Sequence, residues 1–268
     1  MKNSIIILFT TIFALALSAC SKVTTTKTYP LETDTFISSG DSSNHATLAY
    51  LNISKSASLE ERAVVRLPSK NEDLESALEE SLAEDLIRFF FLPLEIIARI
   101  LTCNQDIVSA GNLQSAFLRF DVKENADGSL SNKLELDLLA KPWWQTANWT
   151  EAHPFSATQG IWNAPGGDTD PSFTPILNSV SGSVVSFDIT TYFRNLMSSN
   201  GAIPHYGFLL KAVNATMNSV SLHSVQGAGT HPRVEATFSA ACTNQGYGTY
   251  RSVFELGGDG QGSIEKLE

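Results

Sequence analysis

The chain has 268 residues, a formal net charge of −10 and 43% hydrophobic residues. That length and apolar content suit one large β domain or two small ones. The acidic balance argues against nucleic acid as a partner and against charge-driven binding to anionic lipid.

Lys2 supplies a short positive segment, and residues 5–17 form an apolar run too short to span a bilayer. The run ends in Leu17-Ser18-Ala19-Cys20, which looks like a bacterial lipobox. The likeness implies a signal peptide over 1–19, cleavage before Cys20 and lipidation of that cysteine, palmitate included. Ser21 does not resemble an inner-membrane retention signal. The expected location is therefore the bacterial cell envelope, lipid-anchored at the outer membrane. Residues 20–28 read as a polar tether. Of the three cysteines, Cys103 and Cys242 remain once Cys20 is lipidated. In an oxidising compartment they are candidates for a disulfide, the alternative being two unpaired thiols.

Residues 34–40, 48–53 and 62–67 are short β-rich runs, and Pro68 stops the third. The pattern then changes. Asn71 is a candidate N-cap, and Leu74, Leu78, Leu82 and Leu86 recur every four residues with acidic residues on the other faces. The more apolar stretch 86–101 follows, broken by Pro93, while Arg88, Glu95 and Arg99 exclude a simple transmembrane span. Residues 71–101 are therefore expected to be a helical insertion covering the sheets. A sharper reading is a surface that docks a membrane or a protein partner.

Strands resume over 117–122 and 133–138. In the second, Leu134, Leu136 and Leu138 alternate with Lys133, Glu135 and Asp137. Later strands are expected at 184–189, 206–213, 219–225 and 233–238, with a short helix at 190–199. About nine strands without a βαβ rhythm predict an all-β antiparallel β-sandwich of jelly-roll type over 29–241. The Gly-rich tail, 242–268, reads as disordered apart from one short strand near 250–256.

Residues 141–171 (KPWWQTANWTEAHPFSATQGIWNAPGGDTDP) hold all four tryptophans, and the composition reads as loop. Indole rings can stack on sugar faces or pin an irregular loop to a core. Trp143, Trp144 and Trp162 are the candidate glycan contacts. Trp149 and Trp162 sit within segments that resemble an extracellular β-sandwich family, and Trp162 precedes the turn Asn-Ala-Pro-Gly-Gly, so both are also expected as buried anchors. Adjacent residues of an extended segment point to opposite faces, so one of Trp143 and Trp144 should face the core.

The order of several segments resembles the DNRLRE family of extracellular β-sandwich domains. These are Asp34-Thr35-Phe36, the 62–67 strand, Ser115-Ala116-Phe117-Leu118-Arg119-Phe120 and Asn148-Trp149-Thr150. Gly160-Ile161-Trp162-Asn163-Ala164-Pro165-Gly166-Gly167-Asp168, Phe187-Asp188-Ile189-Thr190, Tyr206-Gly207-Phe208-Leu209-Leu210 and Pro232-Arg233-Val234 follow. The resemblance implies a jelly-roll module related to carbohydrate-binding modules, in a lipoprotein without catalytic activity.

No HExxH or GxSxG is present, and the five histidines are scattered. Asp168 and Asp170 are candidate oxygen ligands, making calcium the one candidate cofactor. Asp34 and Asp188 are expected to be structural. The leading expectation is a non-catalytic surface lipoprotein binding extracellular or envelope polysaccharide. The alternative is a structural or interaction lipoprotein docking a protein partner through the helical insertion.

Overall fold

The computed structural model describes residues 23–67, 108–153, 160–199 and 204–240, together with the backbone of 252–256 and 262–266. The expected signal peptide (1–19), Cys20, the expected insertion 71–101, Cys103 and Cys242 lie outside the described residues.

The protein is all-β. The strands in chain order are β1 (Val23–Pro30), β2 (Thr33–Ser38), β3 (Tyr50–Lys55), β4 (Glu60–Arg66), β5 (Leu113–Asn125), β6 (Leu134–Leu138), β7 (Ile176–Leu177), β8 (Ser179–Ser181) and β9 (Val184–Asp188). Helix α1 (Thr190–Ser198) follows, then β10 (Phe208–Ala212), β11 (Met217–His223), β12 (Arg233–Ala240), β13 (Ser252–Leu256) and β14 (Gly262–Lys266). The first twelve strands form one curled antiparallel sheet. It makes a sandwich-like body with two leaves, the first β1-β12-β5-β9-β8 and the second β2-β4-β10-β6-β7.

Strand β5 joins the leaves. Its residues 113–121 pair with β12 and β9, while Val122, Glu124 and Asn125 pair with β11, which leads through β3 to β4. The β5–β11 register shifts at this transfer, and such a bulge bends a strand and increases its twist.

The leaves meet over Leu118, Phe120, Phe187, Val234, Ala236 and Phe238 on one side and Ala63, Val65, Leu134, Leu136, Phe208 and Leu210 on the other. The period-2 pattern of β6 and β12 is what places these residues. Full burial of each larger side chain stabilises the fold by roughly 1.5–3 kcal/mol. Helix α1, expected at 190–199, packs Phe193, Leu196 and Met197 into the same core. Asp188 accepts from Thr190 N at 3.0 Å and so holds the turn into the helix. Among the described residues no helix is long and apolar enough to cross a membrane.

Two expectations need correction. The polar tether over 20–28 is not loose chain in its described part, because 23–30 is strand β1, paired with β12 from Val23↔Ala240 to Pro30↔Arg233. Its threonines are polar but β-branched, which suits a strand. Thr24 and Thr26 place their hydroxyls 3.1 Å from those of Ser239 and Thr237. The tail carries more order than its glycines suggest, since β13 and β14 pair as a hairpin in register Ser252↔Lys266 to Leu256↔Gly262.

Candidate functional site: the tryptophan loop

Strands β4 and β10 read Ala63-Val64-Val65 and Phe208-Leu209-Leu210, continuous apolar runs rather than alternating ones. Such runs belong to strands covered on both faces. Ala63, Val65, Phe208 and Leu210 face the first leaf, whereas Val64 and Leu209 point outward. The tryptophan loop covers that outer face, where Ile37, Val64, Leu139 and Leu209 form a second core with Trp143, Ala147, Ala152 and Trp162.

The loop is tied at its stem and within itself. Leu139 N donates to Gly207 O at 3.0 Å, Ala140 N to Asp168 O at 2.9 Å and Asp170 N to Leu138 O at 2.8 Å. Gly207 has φ +96°, and a Cβ there would lie 2.1 Å from Val65 O, so only glycine fits. Further in, Trp144 N donates to Ala152 O and Ala152 N to Gly160 O, both at 2.8 Å. Asn148 Oδ1 accepts from the amides of Thr150 and Glu151, each at 2.9 Å.

The tryptophans divide by role. Trp143 is 1% exposed, and its indole N–H donates to Tyr206 O at 2.7 Å. Trp162 is 2% exposed and donates to Asn148 O at 2.9 Å. Trp149 is partly buried, with the Arg62 guanidinium 4.8 Å from its ring centre. Trp144 is 44% exposed, and its ring lies 5.4 Å from that of His153. Ile161, 70% exposed, belongs to the same loop, bridged to Glu151. Trp143 and Trp162 are therefore corrected as glycan contacts, because their faces are packed away and their N–H groups are spent on backbone carbonyls. Trp144 alone of the three offers its ring to solvent.

Cations beneath the loop do structural work. Arg62 donates to Gly166 O at 2.8 Å and pairs with Glu60. Arg66 donates to Trp143 O and lies 5.0 Å from the Trp143 ring centre. Burial pulls the Arg66 pKa below the usual guanidinium value, with Glu32 opposing the shift. Lys141 Nζ is 3.5 Å from Asp168 Oδ2 and also donates to Ile161 O.

The candidate calcium ligands are committed elsewhere. Asp168 Oδ2 and Oδ1 accept from Asn163 N at 2.8 Å and Ala164 N at 2.7 Å, which fixes the Asn-Ala-Pro-Gly-Gly turn. Asp170 Oδ1 accepts from Ser172 N at 2.8 Å, and the bonds to Ser172 hold its pKa below the ordinary carboxylate value. Among the described residues no group of three or more His, Cys, Asp or Glu could hold a metal ion.

Comparison with protein-family models and with curated proteins returned no match. The site therefore rests on its own geometry.

Two buried titratable groups stand outside the loop surface. His205 Nδ1 lies 2.6 Å from the Tyr192 hydroxyl, and burial, helped by the charge of Arg66, pushes its pKa down to about 3. It is a neutral core residue at physiological pH. Asp34 accepts from Val225 N at 2.9 Å, as its expected structural role requires. Burial raises its pKa to about 7 against the opposing effects of that bond and of His231.

Sequence reasoning did not single out Ile161, Arg62 or Arg66. The arginines were within reach of it. Residues 62, 64 and 66 share one face of β4, and an arginine there needs carbonyl or aromatic partners once the face is covered.

Proposed function

We propose that the protein is a non-catalytic, lipid-anchored envelope protein whose sandwich binds extracellular or envelope polysaccharide, with Trp144 as the stacking residue. The observation that carries this reading is one indole, 44% exposed, whose loop neighbours Trp143 and Ala147 are buried. Its neighbour Trp143 is buried and bonded directly beneath, so the backbone at 144 is fixed before any ligand arrives. A preformed aromatic surface lowers the ordering cost of binding. The resemblance to the DNRLRE family supports the same reading, and the lipobox supports the anchor. Glu151 and Asp168 are bonded within the loop, which favours binding over hydrolysis by a carboxylate pair.

The test is a glycan-array screen of the mature protein followed by titration of any hit against Trp144→Ala. The expected result is a loss of affinity of about tenfold or more, corresponding to roughly 1.4 kcal/mol, at an unchanged melting temperature. The alternative, a protein partner docked through residues 71–101, has its support in the sequence alone.

A further inference from the structure

We propose that the protein sits flush on the bilayer, with the end of the sandwich where β1 begins as its membrane-facing surface. The proposal rests on the reading of Cys20 as the lipidated residue, but its geometry comes from the strand that follows. β1 is paired with β12 from its first residue, Val23↔Ala240. Only Ser21 and Lys22 separate the anchor from a strand locked into the sheet. The three residue steps from Cys20 to Val23 reach at most about 11 Å. β12 itself runs for 8 residues, roughly 25 Å at the usual strand rise. The slack is thus under half the length of the strand it holds, and the domain cannot stand clear of the lipid.

The same topology identifies the surface brought to the bilayer. Next to Val23 lie Ser239 and Ala240 of β12, then Leu113 of β5, paired with Phe238. The 3₁₀ turn Ala110–Asn112 precedes Leu113. Arg194 of α1 reaches this end, donating to Leu113 O at 2.9 Å. In a chain with 28 Asp and Glu, the segments 23–28, 108–116, 190–198 and 236–240 contain none. They offer hydroxyls, amides and Arg194, while β14, which lies against α1, brings Glu265 near. The anchor rather than charge supplies the affinity. The far end of β1 and β12, at Pro30 and Arg233, is directed away from the lipid.

Neutron reflectometry on the full mature protein in a supported bilayer tests the proposal, after mass spectrometry of the N-terminal peptide. The expected result is lipid on Cys20 and a protein layer with a water gap no wider than about 11 Å. Inserting twelve Gly/Ser residues between Lys22 and Val23 should widen the gap by roughly 20 Å. Lipid on Cys20 with a gap of that larger size in the unaltered protein overturns the flush arrangement and leaves the anchor standing. An N-terminal peptide without lipid overturns both.

Discussion

The two leaves of the sandwich share one core between them and finish their outer faces differently. On the first leaf the outer residues of β5 and β12 meet water as a charged ladder. Arg233 lies 2.7 Å from Asp121 and 2.9 Å from Glu235, and Arg119 lies 3.1 Å from Glu235. On the second leaf the loop buries the part of the outer face around Val64 and Leu209, and beside it Lys211 pairs with Glu135 at 3.3 Å and with Asp137 at 2.7 Å. The comparison teaches that a β leaf can be finished by ion pairs on water or by a second small core. Among the described residues, the exposed Trp144 belongs to the second arrangement.

Breaking the covered face should have the largest effect. Trp143→Ala removes a 1% exposed indole, its bond to Tyr206 and the ring beside Arg66. Chemical denaturation should show a loss of about 3–5 kcal/mol. A loss under about 1 kcal/mol would mean that the loop is not part of the folded core.

The buried carboxyl of Asp34 comes next. Its folded pKa of about 7 lies above the ordinary value of 3.8. The folded chain therefore holds a proton that the unfolded chain has released. The contribution to stability is fully present below about pH 4 and is lost as pH rises through about 7. Melting temperature measured from pH 5 to 8 should fall through this component, and Asp34→Asn should flatten it by an amount on the order of a few kcal/mol. An identical pH profile in the variant counts against the burial of an ionisable group at this position.

Cutting the charged ladder should do least to stability. Arg233→Ala removes two partly buried pairs on the outer face and is expected to lower stability by about 1 kcal/mol, less at high salt. A loss as large as that of Trp143→Ala would erase the distinction between the leaves.

How far this could be read from sequence follows the same division. Val234, Ala236 and Phe238 alternate with polar residues, so the water-facing leaf was legible residue by residue. β4 and β10 announced burial on both faces through their continuous runs, but not what covered the outer one. Trp143 and Trp144 had to point to opposite sides. Which one turned inward depended on Tyr206 and Arg66, 63 and 77 residues away. β1 was misread for a similar reason. Its threonines look polar in isolation, and the partner that makes them a strand, β12, lies more than 200 residues away. The committed oxygens of Asp168 were also hidden, since the amides they accept exist only once the turn has formed.

Trp144 is proposed as a binding residue rather than a structural one. The most direct measurement is a paired titration of the wild-type mature protein and Trp144→Ala against the best array glycan, with melting temperature followed in parallel. The predicted result is binding by the wild type, a loss of about tenfold or more in the variant, and melting within about 1 kcal/mol of wild-type stability. Equal affinity in both proteins, or destabilisation matching that of Trp143→Ala, would contradict the account.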